Sequence, residues 1–186
     1  MLKAVNRQID DAVADVGCSD DPAVRDKTLD VKSDVRFTDA DIFSVYISAS
    51  YFCGLYPEND DNRSLTFDLR TGKAVAFEAL FQDYEKDKTR ILKTIFSKQV
   101  AEAERAKAQG KEDGDSCEDS PSLFALDHLQ DSTYFFNFTP RGLEVQPAWP
   151  HVIEACAERV TVPYEQLREF VAPGGLLERV LPKAAP

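Results

Sequence analysis

The chain has 186 residues, 43% of them hydrophobic, enough to bury a real core. Its 22 basic and 33 acidic residues give a net charge of −11, which repels nucleic acid and anionic membrane surfaces and leaves a cationic partner, or none. No apolar run approaches the roughly 18 residues of a membrane span, and Met1 to Val5 hold no signal-peptide core; if the protein is exported, its signal has been removed from this chain.

Val5, Ile9, Val13 and Val16 recur at helical spacing up to Gly17, which predicts a short first helix. Leu29, Val31, Ser33, Val35 and Phe37 then alternate with Asp30, Lys32, Asp34 and Arg36, the pattern of a half-solvated strand. A turn at Asp39 to Asp41 leads to a second strand, in which Phe43, Val45, Ile47, Ala49 and Tyr51 alternate with Ser44, Tyr46, Ser48 and Ser50. Leu65, Phe67 and Leu69 mark a third strand of an antiparallel meander. The intervening stretch Tyr56 to Asn62, with Glu58, Asp60 and Asp61, reads as an acidic loop; it lacks the residue order and distal Glu of a calcium loop. Arg70-Thr71-Gly72-Lys73 is a turn without the upstream glycine of a phosphate loop.

Phe77 to Phe81 predicts one helical turn that packs rings beside the sheet. From about Asp83 to Gly110 the stripe Ile91, Leu92, Ile95, Phe96, Gln99, Val100 and Ala103 predicts one long helix. Residues 109–121 are small, polar and acidic, with Glu112, Asp113, Asp115, Glu118 and Asp119, and read as a mobile surface loop. Tyr134 to Phe138 and Leu143 to Val145 form a hairpin about Pro140-Arg141-Gly142. Val160 to Val162 is a last strand, Pro163 opens a helix carrying Leu167, Phe170 and Val171, and Gly174-Gly175 ends it. The expectation is an α+β fold: an antiparallel sheet with one long packed helix and short flanking helices. It forms a single compact unit over 1–186, with lobes at about 1–75 and 76–182 as the alternative.

The four cysteines, Cys18, Cys53, Cys117 and Cys156, show no metal or redox spacing. They allow three pairings; Cys18 with Cys53 and Cys117 with Cys156 is the preferred one, since each bridge would pin a loop near a strand. Four buried thiols in a cytosolic protein are the alternative. No cofactor or metal site is expected.

His151 and Glu154 could form an acid–base pair, but Ala155 stands where a metalloprotease has its second His, and His128 lacks a nucleophile to serve. The chain is therefore expected not to be an enzyme, with a peptidoglycan-associated hydrolase or accessory domain using His151 and Glu154 as the alternative. A purely structural envelope protein is a third reading. Trp149, the only Trp, lies between Ala148 and Pro150 and is either an interface anchor or a cover over the core. The candidate binding residues are thus Trp149, His151, Glu58, Asp60, Asp61, Asp113 and Asp115.

Tyr51 to Gly54, Ser64 to Lys73, Phe77 to Phe81, the long helix, the Tyr134 to Val145 hairpin and Val160 to Leu167 together resemble the RsiV-type C-terminal domains, a bacterial extracytoplasmic family also found beside peptidoglycan-deacetylase domains. The resemblance runs from about Ile42 to Phe170. It implies an antiparallel sheet carrying a long helix, a location in the periplasm or outer envelope, and a role in binding, since well-known members are anti-sigma factors whose external domain acts as a receptor for lysozyme. This chain departs from that pattern in having no cytoplasmic segment or membrane helix, and in carrying Trp149 to Cys156 after the hairpin. The implied partner is a cationic, lysozyme-like protein or a cell-wall component.

Overall fold

The structure is a computed structural model that describes residues 2–14, 16, 28–54, 59–111, 113–114 and 116–181. Two compact units divide the chain: residues 1–75 with 137–139, and residues 76–136 with 140–186.

In the first unit, helix α1 (Leu2–Ala14) lies against an antiparallel sheet of β1 (Thr28–Thr38), β2 (Ile42–Phe52), β3 (Asn59–Asp68) and β4 (Lys73–Ala74), in the order β1-β2-β3-β4. The helical stripe does what its spacing requires. Val5 is buried with Val45, Ile47 and Phe67, and Ile9 and Val13 pack on that cluster. Gln8 fixes the helix to the β3–β4 turn, its Nε2 donating to Gly72 O (2.9 Å) and its Oε1 accepting from Ala74 N (3.2 Å). At the β1–β2 turn, Asp39 Oδ1 accepts from the amides of Asp41 (2.8 Å) and Ile42 (2.7 Å), the local bonding for which Asp is favoured in turns. Arg70 grips Asp41 through two parallel bonds of 2.7 and 2.6 Å.

Two readings of this unit need correction. The alternation in β1 suggests a strand with its apolar face buried, yet Leu29 and Val35 are 51% and 53% exposed. β1 is an edge strand, and Val31 is its residue packed on the core cluster. The register also shifts between Val35 and Phe37, so Phe37 pairs with Ser44 and turns to the opposite face, its ring 6.3 Å from Phe138. Second, Asp60, Asp61 and Asn62 are not loop residues: β3 begins at Asn59, and these three pair with Ser50, Ala49 and Ser48.

The second unit holds a 3-10 turn at Glu78–Leu80, α2 (Tyr84–Ile95), α3 (Ser97–Ala108), 3-10 turns at Cys117–Asp119 and Pro121–Phe124, and α4 (Leu126–Gln130). Strands β5 (Tyr134–Thr139), β6 (Gly142–Pro147) and β7 (Val160–Val162) make a sheet of that order. α5 (His151–Glu154) precedes β7, and a 3-10 helix at Tyr164–Phe170 and α6 (Leu176–Val180) follow it. The expected single long helix is two helices. Phe96 leaves the helical region (φ −102°, ψ 33°) and buries its ring completely, 6.0 Å from Phe124 and 5.8 Å from Tyr134. Lys93 and Glu104 then meet at 3.2 Å, although a straight helix would hold them about 16 Å apart along its axis. The helix expected after Pro163 is 3-10 and stops at Phe170, and a further short helix, α6, follows Gly174-Gly175.

A chain of ring contacts forms this unit's core: Trp149 on Phe124, Phe124 on Phe96, Phe96 on Tyr134, Tyr134 on Phe77, and Phe77 on Phe81 and Tyr84. The C-terminal segment closes over α2, with Gln82 N donating to Phe170 O (2.8 Å) and the Arg90 guanidinium 5.0 Å above the Phe170 ring. Cys117 and Cys156 are joined by a disulfide, as expected, and Cys53 is also disulfide-bonded; its expected partner, Cys18, lies outside the described residues. A disulfide accords with an oxidising compartment outside the cytoplasm. Among the described residues no helix is long and apolar enough to cross a membrane.

Candidate binding surfaces

Two concave surfaces stand out, one in each unit. The first is on the face of the four-stranded sheet opposite α1. Because side chains alternate along a strand, the face that leaves Val45 and Ile47 under α1 gives β2 a second row of Ser44, Tyr46, Ser48 and Ser50. Their β3 partners are Thr66, Ser64, Asn62 and Asp60. At one end the row is sealed. Ser44 and Thr66 are buried and bonded to each other at 2.8 Å, and Asn137, 2% exposed, donates to Ser44 Oγ and Val45 O (3.0 Å each) while accepting from Ser64 Oγ (2.9 Å). Beyond it, Tyr46 donates to Asn62 Oδ1 (2.5 Å), and the row opens into a depression of about 310 Å³ lined by Asp30, Lys32, Ser48, Ser50, Asp60 and Asn62. Such a floor offers hydroxyl, amide and carboxylate groups together, suited to hydrogen bonding, with Asp30 paired to Lys32 at 3.0 Å.

The second surface is a cleft of about 770 Å³ between α3 and the Pro121–Gln130 segment. Lys107 and Lys111 contribute positive charge from one side; Asp127 and Asp131 contribute negative charge from the other. His128 is the aromatic ring in its lining. Its Nδ1 lies 2.7 Å from Leu123 O, and since a carbonyl only accepts, Nδ1 carries the proton there. The imidazole stacks on the Trp149 indole at 5.4 Å, and Trp149 Nε1 donates to Ser132 Oγ (3.0 Å).

The expected binding residues do not converge. Trp149 is 7% exposed beneath His128, the position of a core cover rather than a free anchor. Asp60 is exposed at the sheet depression, whereas neighbouring Asp61 is paired with Arg63 at 2.9 Å. Asp113 lines the cleft but is engaged, accepting from the amide of Ser122 (3.2 Å) and from its hydroxyl. The same segment is tied further by Ser120 Oγ, which lies 2.9 Å from both Gly114 O and Ser116 O and shares its single proton between them. Asp119 accepts from Ser116 Oγ (2.9 Å), and that bond, with Lys111 second, holds its carboxyl below the usual range. Glu58, Asp115 and the His151 side chain lie outside the described residues; Glu154 closes the four-residue α5. Sequence reasoning missed Ser48 and Ser50, for which the serines alternating with apolar residues in β2 were the available signal.

Two antiparallel sheets with packed helices and a Cys117–Cys156 disulfide define an α+β domain. No family model matches the sequence, and no curated protein matches it. The fold is similar to solved structures of DUF3298 family proteins. One, from Pseudomonas aeruginosa PAO1, has 12% identity, a TM-score of 0.50, and coverage of 79% of this chain and 63% of that one. Another, from Bacteroides fragilis NCTC 9343, has 14% identity, a TM-score of 0.54, and coverage of 90% and 61%. This chain therefore spans about three fifths of the length of each.

Proposed function

We propose that this chain is a non-catalytic binding domain of the bacterial periplasm or outer envelope, and that its partner is a cationic, lysozyme-like protein. The observation that carries the reading is the open polar depression on the first sheet, where Asp60 stands beside the Asp30–Lys32 pair among Ser48, Ser50 and Asn62 on a chain of net charge −11. The disulfide, the likeness in fold to DUF3298 proteins and the sequence resemblance to RsiV-type domains support it. Lys32 in the same depression offsets Asp30 at 3.0 Å, which leaves Asp60 as the carboxylate a cation would meet, and exposed charges of this kind are screened over roughly 8 Å at physiological ionic strength.

The test is calorimetric titration of the full chain with lysozyme at low and high salt, alongside a neutral protein of similar size. Binding that is confined to lysozyme, fades with salt and weakens in Asp60→Lys is expected. Absence of binding at low salt, or binding indifferent to both salt and Asp60→Lys, would overturn the reading; retention on insoluble peptidoglycan alone would move it to a cell-wall component. In this reading the chain carries out no reaction, so wild type and His151→Ala should both leave peptidoglycan intact.

A further inference from the structure

We propose that β1 is a self-recognition edge, through which two copies of the chain pair β1 to β1, antiparallel, about a two-fold axis at Ser33. The four-stranded sheet ends at β1, so among the described strands nothing pairs with the outer edge of this 11-residue strand. An edge of that length presents a row of unpaired amides and carbonyls. It is also where the apolar exposure lies: Leu29 and Val35, at 51% and 53%, are two of the three large hydrophobic residues that the described chain exposes.

The order of residues along the strand decides the partner. Pairing about Ser33 sets Lys32 opposite Asp34 of the second copy and Val31 opposite Val35, each contact occurring twice by symmetry. Opposite charges thus face each other on one side of the joined sheets, while valines cover each other on the other side. The matched run is 31–35, because the register shifts after Val35, at Arg36, and turns Phe37 to the other face. Neighbouring registers fail. Centring on Lys32 sets that residue against itself and Asp30 against Asp34; centring on Asp34 sets that residue against itself. A slip of one residue places Val31 opposite Asp34 and Asp30 opposite Val35, on mismatched faces. Charges on an edge ordinarily discourage pairing; here their order is complementary to its own reverse, which makes a second copy the best-matched strand. Lys32 is 78% and Asp34 60% exposed; within one chain Lys32 meets Asp30 at 3.0 Å and Asp34 meets Arg36 at 2.7 Å, and pairing exchanges these exposed in-strand contacts for contacts between copies.

The experiment is analytical ultracentrifugation of the full chain, disulfides intact, over a concentration series, for wild type, Lys32→Glu, Asp34→Lys and the double variant carrying both. A concentration-dependent dimer is expected for wild type. Each single reversal turns two symmetric attractions into repulsions and should raise the dissociation constant about tenfold, and the double variant, with the charges exchanged, should return to near the wild-type value. Because both side chains are exposed, circular dichroism should show all four proteins folded. A wild-type chain that stays monomeric at its highest soluble concentration, a dimer that ignores the single reversals, or a double variant that does not recover would each overturn the proposal.

Discussion

Asn137 carries three hydrogen bonds in a site 2% exposed, joining Ser44, Val45 and Ser64. Asn137→Ala would leave buried donors and acceptors without partners, and urea unfolding should register a loss of about 3 kcal/mol. At Gly142, with φ +151°, a Cβ would come within 2.2 Å of Val162 O, where β6 meets β7. Gly142→Ala should therefore cost more than the ~1 kcal/mol of an ordinary glycine change, and the lowered thermal midpoint would measure it. Burial raises the phenol pKa of Tyr84 and Tyr134, in both cases as the largest cause. The folded state then holds protons that the unfolded chain releases above about pH 10, so the contribution is intact below that pH and is lost as pH rises further. Absorbance at 295 nm should show two of the six tyrosines untitrated until the chain unfolds. None of these residues announced its role in the sequence. The Asn in an aromatic strand, the glycine after Arg141 and the two tyrosines acquire their meaning from partners remote in the chain, as Trp149 does from His128.

At the level of elements, what was legible followed local periodicity and what was not followed tertiary docking. The stripe that runs through Leu92, Phe96 and Ala103 gives no sign of a break; the break arises because the Phe96 ring docks between Phe124 and Tyr134. Phe96→Ala should accordingly lower stability by about 3–5 kcal/mol through the cavity it leaves, whereas Lys93→Ala, which removes an exposed ion pair, should change it by less than about 1 kcal/mol. Asn59 to Asn62 looked like a loop because Asn and Asp disfavour strands, and pairing with β2 overrides that preference. The hairpin of β5 and β6 was readable because alternation and turn residues agreed. The Cys117–Cys156 bridge closes a separation of 39 residues, for which chain entropy gives up to about 4 kcal/mol. The paired change Cys117→Ser with Cys156→Ser should lower the denaturant midpoint by a corresponding amount, and reduction of that variant should leave its 117–156 segment unaffected.

Across the whole molecule, the charge of −11 was plain from composition, but where it can act was not. Much of the acidity is spent locally, on Arg63, Arg70, Lys111 and Arg168, and only the sheet register revealed that Asp60 shares a depression with Asp30. The way α1 is held has a practical consequence of its own. That helix covers Val45, Ile47 and Phe67, and Gln8 fastens it to the turn before β4. A protease cut after Ala14, or an expression boundary drawn at the first strand, would strip the lid from a greasy sheet face and yield a protein that clumps, however intact the rest of its chain.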